Sequence, residues 1–204
     1  MKPLFFSGHR NCMGGKHYME LTARHVRQNL QEYLEIKDLM ARSFPKNERF
    51  SFQLQKFWAL FPGNDFLAFY DGNLFAGIMQ AFATDEAVFI LYLAVNDRIR
   101  SHGYGSRILS WAKEHYQDRC ITLNVEPEDD QAPNREQRRR RMEFYRKNGI
   151  TDTGYIFHEG GDTYSVLSTN APSAPFTPEK FRKATGKLTF GLYTPKIIKK
   201  TEVR

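Results

Sequence analysis

The sequence predicts an α/β layered domain built on a mixed sheet, and three features carry that reading. Residues 87–95 are an unbroken apolar run of nine, as a central strand covered on both faces requires. Asp71–Gly72–Asn73 divides two apolar segments, the pattern of a tight hairpin. Stretches with helical apolar spacing alternate with strand-like ones along the chain.

Residues 1–17 have no periodicity and read as a flexible lead-in. A first strand is expected within 18–26. Leu30, Tyr33, Leu34, Ile36, Leu39 and Met40 then mark a helix over 30–43. Ser43–Phe44–Pro45 ends it, because a residue before proline avoids the helical region. Residues 50–61 form a second, aromatic-rich helix stopped by Pro62–Gly63. Strands follow at 66–70, 74–82 and 87–95. A helix over 103–117 sets Ile108, Leu109, Ala112 and Tyr116 on one stripe. The strand 120–125 leads to a helix over 134–148 that stops at Gly149, the usual place of a C-cap. Segments 153–158 and 163–168 close the domain as a hairpin, so the domain spans 18–169. Beyond it, three prolines in 170–178 mark a linker into a short helix over 178–185, within an arm reaching 204.

The chain has 204 residues, 41% of them hydrophobic, which is enough for a sizeable core and excludes wholesale disorder. Its longest apolar run is far short of the roughly 20 residues that span a bilayer, and no signal-peptide core is present. Cys12 and Cys120 are too few for a disulfide framework. A soluble, cytoplasmic protein with no membrane partner is therefore expected. The net charge of +7 is unevenly placed: 135–147 carries +5 and 171–204 carries +6, while Glu126, Glu128, Asp129 and Asp130 cluster ahead of the first block. Basic blocks suit nucleic acid or a solvated helix face. Arg138 to Arg141 are consecutive and spread their charge around the helix, so no groove-facing stripe forms and nucleic acid is not the expected partner. His17, His25, His115 and His158 lack metal-ligand spacing, and no metal is expected.

The chemistry concentrates between the apolar strand and the helix that follows. There, two glycines two residues apart, Gly103 and Gly105, precede or open a helix whose first N–H groups and positive dipole end suit an anion. No G-x-x-x-x-G-K-[S/T] occurs, and the dinucleotide fingerprint would need a glycine where Ile108 stands, so neither of those phosphate motifs applies.

Arg100-x-x-Gly103-x-Gly105 resembles the acetyl-CoA loop of the GNAT superfamily of N-acetyltransferases, and Phe144–Tyr145–Arg146–Lys147–Asn148–Gly149–Ile150 resembles its "FYxxxGF" signature. The resemblance covers about 18–169, with all elements in the family's order. It implies a largely antiparallel central sheet flanked by helices, with a C-terminal extension, and acetyl-CoA as co-substrate. By the same resemblance Leu93, Ala94 and Val95 pair with the pantetheine arm, while Arg100, Ser101, His102, Gly103, Tyr104, Gly105 and Ser106 hold the phosphates. A backbone N–H near Val95 becomes the oxyanion donor. Tyr145 becomes the acid that protonates the departing thiolate; read from its surroundings alone, it is a packed aromatic beside Phe144. Many relatives carry asparagine and alanine where this chain has Arg138 and Arg141, so Arg138 is expected to reach the cofactor through a charge-assisted bond instead.

Glu126 ends its strand where the sheet would open, and either strips a proton from the incoming ammonium or is a solvated strand-end carboxylate. The acceptor is expected to be a small-molecule or peptide amine, with the acidic 126–130 cluster favouring a cation. A non-catalytic acyl-CoA-binding or nucleic-acid-binding module on the same fold is the contrasting reading. In the arm, Phe176, Phe181, Leu188, Phe190, Leu192, Tyr193, Ile197 and Ile198 punctuate the lysines. So many apolar groups should fold back on the domain or on a second subunit, as in a homodimer.

Overall fold

The computed structural model describes residues 21–26, 32–99, 103–159, 161–192 and 195–202. The lead-in 1–17 lies outside the described residues, as do Arg100, Ser101, His102 and Tyr193. In chain order the elements are β1 (Thr22–His25), α1 (Tyr33–Ser43), α2 (Phe52–Trp58), β2 (Asn64–Asp71), β3 (Leu74–Ala83) and β4 (Ala87–Val95). Then come α3 (Tyr104–His115), β5 (Cys120–Val125), α4 (Arg135–Lys147), β6 (Ile150–Glu159), β7 (Asp162–Thr169), α5 (Pro178–Gly186) and β8 (Lys196–Lys199).

Eight strands make one sheet in the order β1-β2-β3-β4-β5-β7-β6-β8. β4 and β5 run parallel, and the other described pairs are antiparallel. The α3 connection from β4 to β5 makes that parallel contact, since parallel neighbours need a crossover.

Both faces of the sheet are covered, which explains why β2 to β4 are apolar without alternation. Leu67, Phe69, Val88 and Ile90 point toward α3 and α4, against Ile108, Leu109, Ala112 and Tyr145. Phe66, Ala68, Tyr70 and Tyr92 point the other way, onto Ile36, Leu39 and Met40 of α1. The same side carries Trp58 of α2 and Phe181 and Ala184 of α5, packed on Phe82, Phe89, Phe157 and Val166. Thr177 caps α5 by accepting from Lys180 N at 3.3 Å, and Pro178 starts its first turn. Among the described residues no helix is long and apolar enough to cross a membrane.

Two irregularities place the site. Gln80 of β3 pairs with Tyr92 whereas Ala81 pairs with Ile90, so Leu91 is an extra residue that bulges β4. On the far side of β4 the parallel ladder to β5 stops at Ile90–Leu123, although β4 continues to Val95 and β5 to Val125. The two central strands therefore splay apart toward their C-terminal ends.

Candidate active site

The splay exposes backbone. Asn96 N–H donates to Ala76 O at 2.9 Å on the β3 side. Successive amides of a strand point to opposite edges, so the N–H groups of Val95 and Leu93 face the gap left by β5. Leu93 and Val95 lean their side chains on the core under α3, while the buried Ala94 faces α1. Leu93 and Val95 thus turn main-chain N–H groups to the gap, while Ala94 pairs with Ile78 of β3.

At the end of this edge α3 begins. Gly103 precedes it in the left-handed region, at φ 69° and ψ 16°, and a Cβ there would meet nothing within 4 Å. A turn with positive φ that leads into the N-terminus of a twelve-residue helix has the geometry and dipole that suit an anion. Gly105 has a different reason to be glycine. Its missing Cβ is replaced by the ring of Phe144, whose Cζ would lie 2.9 Å from it, and by Val95 at 3.4 Å. Gly105 thus lets α4 approach α3, a contact that a side chain there would disturb. We expect Gly105→Val to cost about 1–3 kcal/mol in urea unfolding through overpacking, before any ligand is added. An unchanged urea midpoint would show that Phe144 swings aside freely.

Tyr104 is held by its side chain. Its ring is buried and its hydroxyl donates to Asp71 Oδ2 at 3.1 Å, beside Arg107 Nη1 on the same oxygen at 2.7 Å. This pair fastens the first turns of α3 to the β2–β3 turn. Ser106 is half-buried in the first turn of α3.

Tyr145 comes from α4, facing the sheet, 9% exposed and edge-on to Phe144 with ring centroids 5.1 Å apart. Burial pushes its hydroxyl up to about 12, against a smaller opposing pull from the Arg141 charge. Its O–H has no hydrogen-bond partner among the described residues. The hydroxyl is therefore protonated at neutral pH.

The structure brings Glu126 and Arg138 together as an ion pair. Glu126 Oε1 takes Arg138 Nη2 at 2.8 Å, Glu126 Oε2 takes Arg141 Nη1 at 3.1 Å, and Asn134 Nδ2 donates to both oxygens. The rest of the Arg138 guanidinium donates to Asn134 Oδ1 at 2.8 Å and Pro127 O at 3.1 Å. These groups clamp the β5–α4 loop onto α4. Both oxygens of the Glu126 carboxylate and three nitrogens of the Arg138 guanidinium are thus engaged by protein groups. The basic run of α4 is likewise engaged locally: Arg139 pairs with Asp130 and Glu136, and Lys147 with Glu143.

Other carboxylates gather on the α1–α2 side of the gap. Glu48 is raised above the usual carboxylate range by partial burial and then by the charge of Glu126, with Asp162 adding to it. Glu159 is raised by desolvation. Tyr164 is pushed up to about 12 by burial and then by Glu48, Asp162, Glu159 and Glu126. Tyr92 spans to this wall, donating to Glu48 O at 2.9 Å and accepting from Phe50 N at 3.0 Å. None of this convergence was visible in the sequence, where the four carboxylates lie in three separate segments.

Comparison with known proteins agrees with this geometry. The profile of the acetyltransferase (GNAT) family matches residues 33–150, more than half of the chain, and the protein belongs to that family. It is an acyltransferase by class. A GNAT-family acetyltransferase from Bacteroides thetaiotaomicron superposes with a TM-score of 0.66 at 22% identity, covering 86% of this chain and 100% of its own. The aminoglycoside 6'-N-acetyltransferase from Enterococcus faecium gives 0.55 at 17% identity, over 74% and 96%. A GNAT acetyltransferase from Elizabethkingia anophelis with acetyl-CoA bound gives 0.51 at 12% identity, over 75% and 99%. No protein of curated function matches the sequence.

Proposed function

We propose that the protein transfers an acetyl group from acetyl-CoA to the amine of a cationic small molecule or peptide. The observation that carries this reading is the splay of β4 from β5, which leaves the β5-side edge of Leu93 and Val95 without a strand partner, together with the positive-φ turn at Gly103 ahead of α3. These parts fit acetyl-CoA. The β4 edge suits the amide groups of the pantetheine arm, and the Gly103 turn with the α3 N-terminus suits the pyrophosphate. The bound Elizabethkingia anophelis relative supports that choice of co-substrate.

When bound, acetyl-CoA supplies the activated acyl group. The N–H of Val95 or Leu93 stabilises the negative oxygen that develops on the thioester carbonyl. Tyr145 gives its proton to the leaving thiolate; its raised pKa keeps that proton in place at neutral pH. The acceptor must lose a proton before attack. With Glu126 engaged by Arg138 and Arg141, that proton passes through water toward Glu48, which has no ion pair among the described residues. Glu48, Glu159 and Asp162 favour an acceptor that carries positive charge, and an aminoglycoside-modifying relative is consistent with this.

Calorimetry with acetyl-CoA, followed by an amine panel with detection of the freed thiol, tests the reading. Acetyl-CoA at 100 times its dissociation constant should raise stability by about 2.7 kcal/mol, and multiply charged amines should outpace neutral-bodied ones. Failure to bind acetyl-CoA or any longer acyl-CoA would sink it.

A further inference from the structure

An open cavity of about 450 Å³ lies between the α2–β2 turn and the C-terminal end of α5, with Phe61, Asn64, Arg182, Lys183, Lys187 and Phe190 in its lining. That volume is within the range of small-molecule sites. The cavity is remote from the β4–β5 gap. Asn64 pairs with Phe82 and Phe82 with Phe89, whereas Leu93 and Val95 stand four and six residues farther along β4. By strand rise that is roughly 13–20 Å.

Two features of the lining point to a ligand. Lys187 is half-buried, and its ammonium donates to Pro62 O at 3.0 Å but has no carboxylate partner among the described residues. The neighbouring cations are paired, Arg182 with Glu179 at 3.4 Å and Lys183 with Glu86 at 3.3 Å. Gly63 leaves room for the Lys187 ammonium, since a Cβ there would lie 2.5 Å from Nζ. The second feature is Phe190, which follows the 3₁₀ turn Lys187–Thr189 at φ 52° and ψ 32°. A bulky residue seldom adopts this left-handed conformation, yet here it presents a ring that is 52% exposed. The ring stands edge-on to Phe61 at 5.1 Å and to Phe57 at 6.1 Å, and both of those are partly exposed as well. We propose that the cavity binds a small aromatic carboxylate, its ring against Phe61 and Phe190 and its carboxylate on Lys187. Charge decides between this occupant and a second copy of the chain. A two-fold contact would set the same basic side chains against each other, whereas one negative charge offsets the one unpaired ammonium. The site stands apart from the acetyl-CoA reading and does not depend on it.

Calorimetric titration of the full chain with 2-naphthoate tests the proposal, with 2-naphthalenemethanol as the uncharged counterpart. The carboxylate should bind about tenfold more tightly than the alcohol. Lys187→Met keeps the apolar stem but removes the charge, and should erase that difference while the alcohol binds as before. Phe190→Gly should weaken both probes without lowering the melting temperature, because glycine accepts the left-handed backbone. Equal binding of the two probes, or no binding at millimolar concentration, would overturn the proposal. Displacement of 2-naphthoate by coenzyme A would overturn it too, by placing the probe in the β4–β5 gap. A lower melting temperature in Phe190→Gly with both probes bound as before would reduce the ring to a packing element. A dimer in sedimentation that Phe190→Gly splits would give this face to a second copy of the chain instead.

Discussion

Replacing Tyr145 with phenylalanine should lower kcat by about 10²-fold or more while leaving coenzyme A affinity within a factor of two. The split follows from the two halves of the side chain. The ring is packed in the core between the sheet and α4, against Phe144, and phenylalanine keeps that volume. The hydroxyl has no partner among the described residues, so the fold loses no hydrogen bond and the melting temperature should hold. In the proposed mechanism, by contrast, the chemistry loses its proton donor. The pH dependence carries a sign that can be checked. Burial raises the hydroxyl to about 12, so the protonated form persists well above the ordinary tyrosine value of about 10. Loss of this acid should therefore produce no falling limb in kcat until well above pH 10. A single-turnover rate unchanged in Tyr145→Phe would make the residue a packing element only.

The same helix shows where sequence reading stops. Tyr145 could be singled out because Phe144, Tyr145 and Gly149 form a local pattern. Arg138 and Glu126 were legible as charges but not as partners, because the bond between them closes a loop of a dozen residues whose path no spacing rule gives. The Arg42–Asp97 and Tyr104–Asp71 bonds are longer-range still. In β4 the failure is of another kind. A strand buried on both faces has no alternation to interrupt, so the extra residue at Leu91 leaves no trace in the apolar run, although it helps set the shape of the site. The hairpin across Asp71–Gly72–Asn73 was plain for the opposite reason, since its turn chemistry is local. That a Cβ at Gly105 would meet the Phe144 ring depends on how α4 packs on α3, which no local pattern gives. β8 is four residues long and draws its pairing from β6, some forty residues earlier, so nothing within Lys196–Lys199 announced a strand.

That arm gives the largest effect on stability. Phe181 is fully buried, with its ring edge-on to Phe89 at 5.7 Å and close to Phe157 at the same distance. Ala184 and Ile197 are buried in the same cluster, and β8 covers the edge of β6 from Tyr155 to His158. Removing everything after Asn170 would uncover Phe82, Phe89, Phe157 and Val166, each now at most 4% exposed, and leave the β6 edge unpaired. Phe181→Ala alone should cost about 3–5 kcal/mol, from lost transfer energy and the cavity that remains. For a chain of 204 residues that lowers the melting temperature by about 6–20 °C. The truncated chain should lose more than the point variant and precipitate or bind a hydrophobic dye, because its exposed aromatic face and strand edge both invite association. A chain ending at Asn170 that melts with the full-length protein would show that the arm is dispensable, and that the packing of Phe181 adds nothing to the domain beneath it.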